Sequence, residues 1–154
     1  MGGVLSVIFA VVHLTVAATW LGSMAYSLNV VQPKVGRFFA DDQRREEFLV
    51  TLAHGNRWRV VALIAALLVT AAGVIATAPR ATAIGYAAVL APYLGATLIF
   101  VNVSWRHWPA RVFALPAELP AFRRRLARQA WAMLALVAAA FLTALSLAVA
   151  VGVR

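Results

Sequence analysis

Four stretches of the chain are almost continuously apolar: residues 4–31, 60–78, 81–104 and 130–153. A membrane-spanning helix takes about 20 such residues. The pattern predicts an all-α fold, a four-helix integral membrane bundle forming one domain over residues 1–154. The first stretch has no positively charged leader and no small-x-small cleavage site before Trp20. It reads as a retained helix rather than a signal peptide.

Polar positions inside these stretches are few, and they line up. At about 100° per residue, Ser6, His13, Ala17, Trp20, Met24 and Ser27 fall within roughly 40° of one line on the first helix. The opposite side carries Ile8, Val11, Ala18 and Ala25. One face is expected to meet lipid and the other to hold an imidazole and an indole. On the second helix Ala66, Thr70, Gly73 and Thr77 recur at face spacing, which suits close helix contact. On the third, Tyr86, Tyr93, Thr97 and Ser104 share a line that His107 joins if the helix runs on. Pro92 interrupts that helix mid-span and frees a carbonyl. The fourth aligns Gln129, Met133, Ala140 and Thr143.

The connections carry the breaks. Helix one is expected to end near Gln32 and Pro33, because proline disfavours helix in the residue before it. FADDQRREEF, residues 39–48, reads as a surface helix with Asp41 as its N-cap. Glu46 and Glu47 are expected to pair with nearby arginines along it. Gly55 and Asn56 predict a second break. Ala78, Pro79 and Arg80 make a short turn, so helices two and three are antiparallel neighbours. Pro120 starts the last helix, and FRRRLARQAW leads into the span as a basic anchor.

Composition narrows the class. The chain is 64% hydrophobic and 12% charged, with a mean hydropathy of +0.86, more apolar surface than a soluble domain of this size hides. Absence of cysteine excludes disulfides, thiolate metal sites, CxxCH haem attachment and thiol redox chemistry. The net charge of +9 is concentrated in two connections. Lys34, Arg37, Arg44, Arg45, Arg57 and Arg59 fall before helix two, and Arg106, Arg111, Arg123, Arg124, Arg125 and Arg128 before helix four. The positive-inside rule then places both basic loops in the cytoplasm and both termini outside, in a multi-pass protein of the cytoplasmic (inner) membrane. Anionic lipid of the inner leaflet, not nucleic acid, is the partner this charge implies. Trp58, Trp105, Trp108 and Trp131 fall at the same expected ends, where an aromatic belt belongs.

Candidate chemistry rests on few residues. Counted along the helices at about 1.5 Å per residue, His13 lies near the levels of Thr70, Tyr93 and Thr143. The four are expected to meet in the interior. His54 and His107 fall near the inner surface, with Met24 and Met133 in the inner half. A deep histidine is a functional candidate. It is either a neutral imidazole hydrogen-bonded to Tyr93 or Thr143, or a ligand to copper or haem b, since imidazole suits both metals. Thioether and imidazole together select Cu(I). Met24 lies about 16 Å from His13 along the helix, too far for both to hold one ion. The acids Asp41, Asp42, Glu46, Glu47 and Glu118 all lie in loops, which argues against hydrolytic or proton-pumping chemistry within the membrane.

The run His13-x6-Trp20-x-Gly22, followed by Pro33, resembles the first helix of copper-resistance D (CopD)-like membrane proteins. It is also similar to a related four-helix family of uncharacterised function with a Trp-x-Gly first helix. Arg57 and Trp58 leading into LLVTAAG, and the arginine-rich approach to helix four, extend the resemblance over nearly the whole chain. It implies copper binding or movement across the inner membrane, with His13 as the midplane ligand. Candidate metal ligands are His13, His54, His107, Met24 and Met133. Two other readings stay open. One is a small haem-b-binding or accessory subunit of a larger membrane redox complex, with Trp20, Tyr86 and Tyr93 packing on the cofactor or on a partner helix. The other is a structural membrane protein, alone or as a homo-oligomer, in which Gly22, Pro33 and Pro92 shape the helices and His13 only holds them together.

Overall fold

Pro33 does not end the first helix. In the computed structural model, which describes residues 2–152, α1 (Gly2–Tyr26) runs through a π turn, Ser27–Val31, into α2 (Gln32–Phe38). The Gln32 N–H reaches back five residues to the Ser27 carbonyl, which widens the helix just ahead of the proline. A wider turn accommodates the missing N–H and the pyrrolidine ring that an α-turn rejects. The same device recurs later. α4 (Arg80–Asn102) passes through a π turn, Val103–His107, into α5 (Trp108–Val112), with Pro109 placed as Pro33 is. Each π turn is followed by one residue and then a proline.

The expected break at Gly55 and Asn56 is also absent. α3 runs unbroken over Asp42–Thr77 and absorbs the segment read as a separate surface helix. A helical glycine costs about 1 kcal/mol against alanine, too little to stop a helix anchored on both sides. Asp41 caps α3 as expected, accepting from the Gln43 N–H at 2.9 Å. Ala78 and Pro79 turn the chain into α4, and α6 spans Leu119–Gly152 with Pro120 in its first turn. The fold is therefore all-helical among the described residues, with four rods long and apolar enough to cross a membrane. The expected end of the last span, Val153, lies outside the described residues.

α1 packs against α3 and α6, and α4 packs against the same two. α1 and α4 thus face each other diagonally across the bundle axis. Small residues set the spacing, as in bundles where lipid tails remove the hydrophobic drive for helix association. A Cβ on Gly73 would sit 2.5 Å from the Phe9 ring, and one on Gly85 would sit 2.8 Å from the Leu147 methyls. Gly22 differs: it is exposed, with open space where a Cβ would go. Helix packing does not explain it. Val7, Val11, Val69, Ile84, Leu98 and Leu142 point outward on the four rods, leaving an apolar girdle around the bundle.

At the end rich in arginine and tryptophan, Glu46 ties three elements together. Arg111 donates to it through Nε and Nη2 at 2.7 and 2.9 Å. Arg123 adds bonds at 3.0 and 2.8 Å and reaches Asp42 at 2.8 Å. The expected pairing of Glu46 along its own helix is replaced by pairing across α5 and α6. Arg111 is buried, and its guanidinium also lies 4.9 Å over the Trp108 ring. Glu46 lies beyond the apolar part of α3. Burial alone raises its carboxyl, but the hydrogen bonds and charges of Arg111 and Arg123 outweigh that and hold it below the usual carboxylate range.

Candidate functional site

The stripe on α1 faces the bundle axis. His13, Ala17 and Trp20 are buried on it, while Val11 and Ala18 on the other side are exposed. His13 is 0% exposed. Its Nδ1 lies 3.0 Å from Thr70 Oγ1 on α3. Tyr86 and Tyr93, from the diagonal helix α4, meet the imidazole edge-on at centroid distances of 5.5 and 5.6 Å. Trp20 stacks on Tyr93 with centroids 6.4 Å apart.

The bonds around Thr70 fix the state of the neutral imidazole. A hydroxyl has one proton to give. Thr70 Oγ1 lies 2.7 Å from the Ala66 carbonyl and 3.1 Å from that of Leu67, both acceptors only. Its proton is committed there, so toward His13 it accepts. Nδ1 therefore carries the hydrogen, and Nε2 is left with a free lone pair. Nε2, Tyr86 Oη and Tyr93 Oη are all buried without a protein partner. One basic nitrogen and two phenol groups, rare as unpaired buried atoms, are gathered at the centre of the bundle.

Space opens above and below this column. Toward Pro79, a cavity of about 310 Å³ lies between α1, α4 and α6, with Tyr86 in its wall. Toward the arginine-rich end, a cavity of about 190 Å³ has Trp20, Met24 and Met133 in its wall, with Arg57 and Ser104. Tyr86 lines the first and Trp20 the second, while the buried His13 and Tyr93 line neither.

Other expected site residues do not join the column. Thr143 is exposed, bonded to the Ala139 carbonyl at 2.8 Å, because the inward face of α6 is set by Val137, Ala140 and Ala144. His54 is exposed on α3, 3.3 Å from the Val50 carbonyl. His107 is buried at the end of the second π turn, edge-on to Phe122 and Trp108, its Nε2 without a partner. No cluster of three histidine, aspartate or glutamate side chains forms among the described residues. Pro92 lies within α4, one residue before Tyr93. Compared with protein-family models, curated proteins and solved structures, the chain matches none. What it does has to be argued from the column and its cavities.

Two features escaped the sequence pattern. Thr70 is expected from its level to meet His13, but the hydrogen-bond partners expected of the imidazole are Tyr93 and Thr143, not Thr70. Arg57 read as belt charge, yet it donates to the Ser104 carbonyl at 2.7 Å. Trp108 gives its N–H to Val103, and Pro109 has none, so Ser104 keeps no backbone partner at either spacing. A proline five residues after a serine at a helix end was the available signal.

Proposed function

We propose that the chain is a copper-binding protein of the cytoplasmic membrane, in keeping with its resemblance to CopD-like proteins, and that His13 is the central ligand. The observation that carries this is the locked imidazole. A metal-ligating histidine typically donates its other N–H to a fixed acceptor, which sets the tautomer and the ring orientation. Thr70 is such an acceptor, and it leaves Nε2 buried and unpaired, with the Tyr86 and Tyr93 rings packed on the imidazole. Met24 and Met133, on different helices, share the wall of one cavity with Trp20. Thioethers favour Cu(I), so that cavity offers an approach to the column. The arginine-rich end faces the cytoplasm by the positive-inside rule, with both termini outside.

The donor set does not fit haem b. His13 is enclosed by Tyr86, Tyr93 and Thr70, so a porphyrin face on Nε2 requires both tyrosines to move. Trp20, Tyr86 and Tyr93 are likewise consumed inside the bundle rather than offered to a partner helix.

The test is loading of the detergent-purified protein with Cu(I) under reductant, followed by elemental analysis. One copper per chain is expected, lost in His13→Gln. X-ray absorption is expected to report nitrogen and no sulfur in the first shell, because Met24 stands too far from His13 to share its ion. Folded protein that takes up no stoichiometric copper overturns the reading. A Soret band abolished by His13→Ala would establish haem in its place.

A further inference from the structure

The arginine-rich half of α3 has two faces with opposite charge. Asp42, Glu46 and Glu47 line a cavity toward α5 and α6, where Arg111 and Arg123 answer them. Arg45, Leu49, Leu52, Ala53 and Asn56 line the other side, at helix-face spacing. There they face Ser27 and Val31 of the first π turn, and Gln32 just after it, across a cavity of about 180 Å³. That cavity shares Ala53, Asn56 and Trp108 with the one holding Arg57, so the two adjoin. Together they make a vestibule flanked by both π turns, a feature that often marks functional sites.

Neither Arg45 nor Arg57 forms a direct ion pair among the described residues, although the Asp42 carboxylate feels the charge of Arg45. Arg57 has its Nη2 on a carbonyl and its guanidinium over the Trp105 ring, which leaves the positive charge in place. Arg45 has a buried Nε with no hydrogen-bond partner. Gly36 gives it room, since a Cβ there would stand 3.1 Å from Nη2. A half-buried guanidinium with unused donors and no carboxylate in ion-pair contact favours an anion, and its fork suits the oxygens of a phosphate. The other walls are apolar, including Leu49, Leu52, Trp108 and Leu126.

We propose that this vestibule binds the phosphate of an anionic amphiphile. Arg45 holds the phosphoryl oxygens, Gln32 and Asn56 add hydrogen bonds, and the apolar walls take the adjoining carbon chain. The phosphate comes from a membrane phospholipid headgroup or from a free phosphoryl compound, and experiment separates the two. Titration of the detergent-purified chain with short-chain phosphatidylglycerol, following tryptophan fluorescence, is expected to saturate. Arg45→Gln weakens that binding at least tenfold, whereas exposed Lys34→Gln leaves it within twofold. Arg45 makes no internal side-chain bond, so its variant is expected to melt as the parent does, and Arg45→Lys recovers part of the affinity. Inorganic phosphate that competes with the same Arg45 dependence identifies a phosphoryl site open to soluble ligands. Phosphate without effect, beside Arg45-dependent lipid binding, assigns it to lipid. Binding of both probes that is absent, or indifferent to Arg45→Gln, overturns the proposal.

Discussion

Thr70 on α3 holds His13 on α1 by a single 3.0 Å contact, and its own proton is already committed to the backbone of α3. A residue that looks like helix-packing filler thereby decides which nitrogen of the only deep histidine is basic. Thr70→Val keeps the shape and removes that acceptor. Nδ1–H then keeps only the Leu67 carbonyl as an acceptor, and losing its hydroxyl partner costs about 0.5–1.5 kcal/mol. The expected result is a lower thermal midpoint and, on the proposed function, copper affinity reduced at least tenfold. Thr70→Ser restores both. A Thr70→Val protein that keeps parental stability and copper binding would sink the lock.

Glu46 is predicted to be the most sensitive charge in the chain. Glu46→Gln leaves the buried Arg111 guanidinium without its counter-charge and removes one of the two acids bonded to Arg123. Removing one partner of a buried pair costs on the order of 3 kcal/mol or more. Asp42→Asn, on a largely exposed carboxylate, is expected to cost under about 1 kcal/mol. Chemical denaturation in detergent at neutral pH distinguishes them. Equal effects would show that burial of the network is not what matters.

The same carboxylate sets an acid limit. Its folded pKa lies below the ordinary value, which is about 4.3 for glutamate. A depressed folded pKa contributes stability that is fully present above the unfolded value and is lost as pH falls through the folded one. Thermal midpoints are therefore expected to be flat from neutral pH down to about 5 and to drop below about 4. In Glu46→Gln that drop is smaller. An unchanged acid limb in the variant would assign it to other carboxylates.

Glycine positions that look alike in sequence are predicted to behave differently. Gly73→Val places carbon 2.5 Å from the Phe9 ring between α1 and α3. Overpacking of this kind costs about 1–3 kcal/mol. Gly22→Ala meets nothing within 4 Å and exchanges a poor helix former for the best one, so stability is expected to rise by up to about 1 kcal/mol. If Gly22→Ala lowers copper binding instead, its place in the His13-x6-Trp20-x-Gly22 run reflects function rather than packing.

Much of this was legible beforehand because bilayer length, helix periodicity and depth are linear in sequence. The inward stripe of His13, Ala17 and Trp20, the facing line of Tyr86 and Tyr93, and the level of Thr70 all emerge from 100° and 1.5 Å per residue. Thr143 fits that arithmetic and still faces outward, because the neighbours of α6, not its own period, decide its inward face. The two prolines mislead for a related reason. Pro33 and Pro109 follow the local rule that proline disrupts an α-turn, and the chain obeys it by widening the turn rather than by stopping. Arg57, Ser104 and Glu46 meet partners between 47 and 77 residues away. No local period encodes those contacts.

Arg57 and Pro109 should prove coupled although they do not need to touch. Pro109 removes the N–H that a π-spaced bond to Ser104 would use, and Trp108 has turned to Val103, so Arg57 serves that carbonyl from another helix at 2.7 Å. Arg57→Met leaves the carbonyl of the buried Ser104 unsatisfied, at about 1–3 kcal/mol. Pro109→Ala restores an N–H and lets the ladder close, making Arg57 dispensable for this bond. In a double-mutant cycle the Arg57→Met penalty is expected to shrink by at least about 1 kcal/mol in the Pro109→Ala background, within the range measured for residues sharing a partner. The readout is denaturation in detergent, with amide exchange at Ala110 and Trp108 reporting whether the turn has closed. Additive penalties with unchanged exchange would mean that Arg57 stabilises this end through Trp105, 5.1 Å from its guanidinium, and not through the carbonyl that Pro109 leaves open.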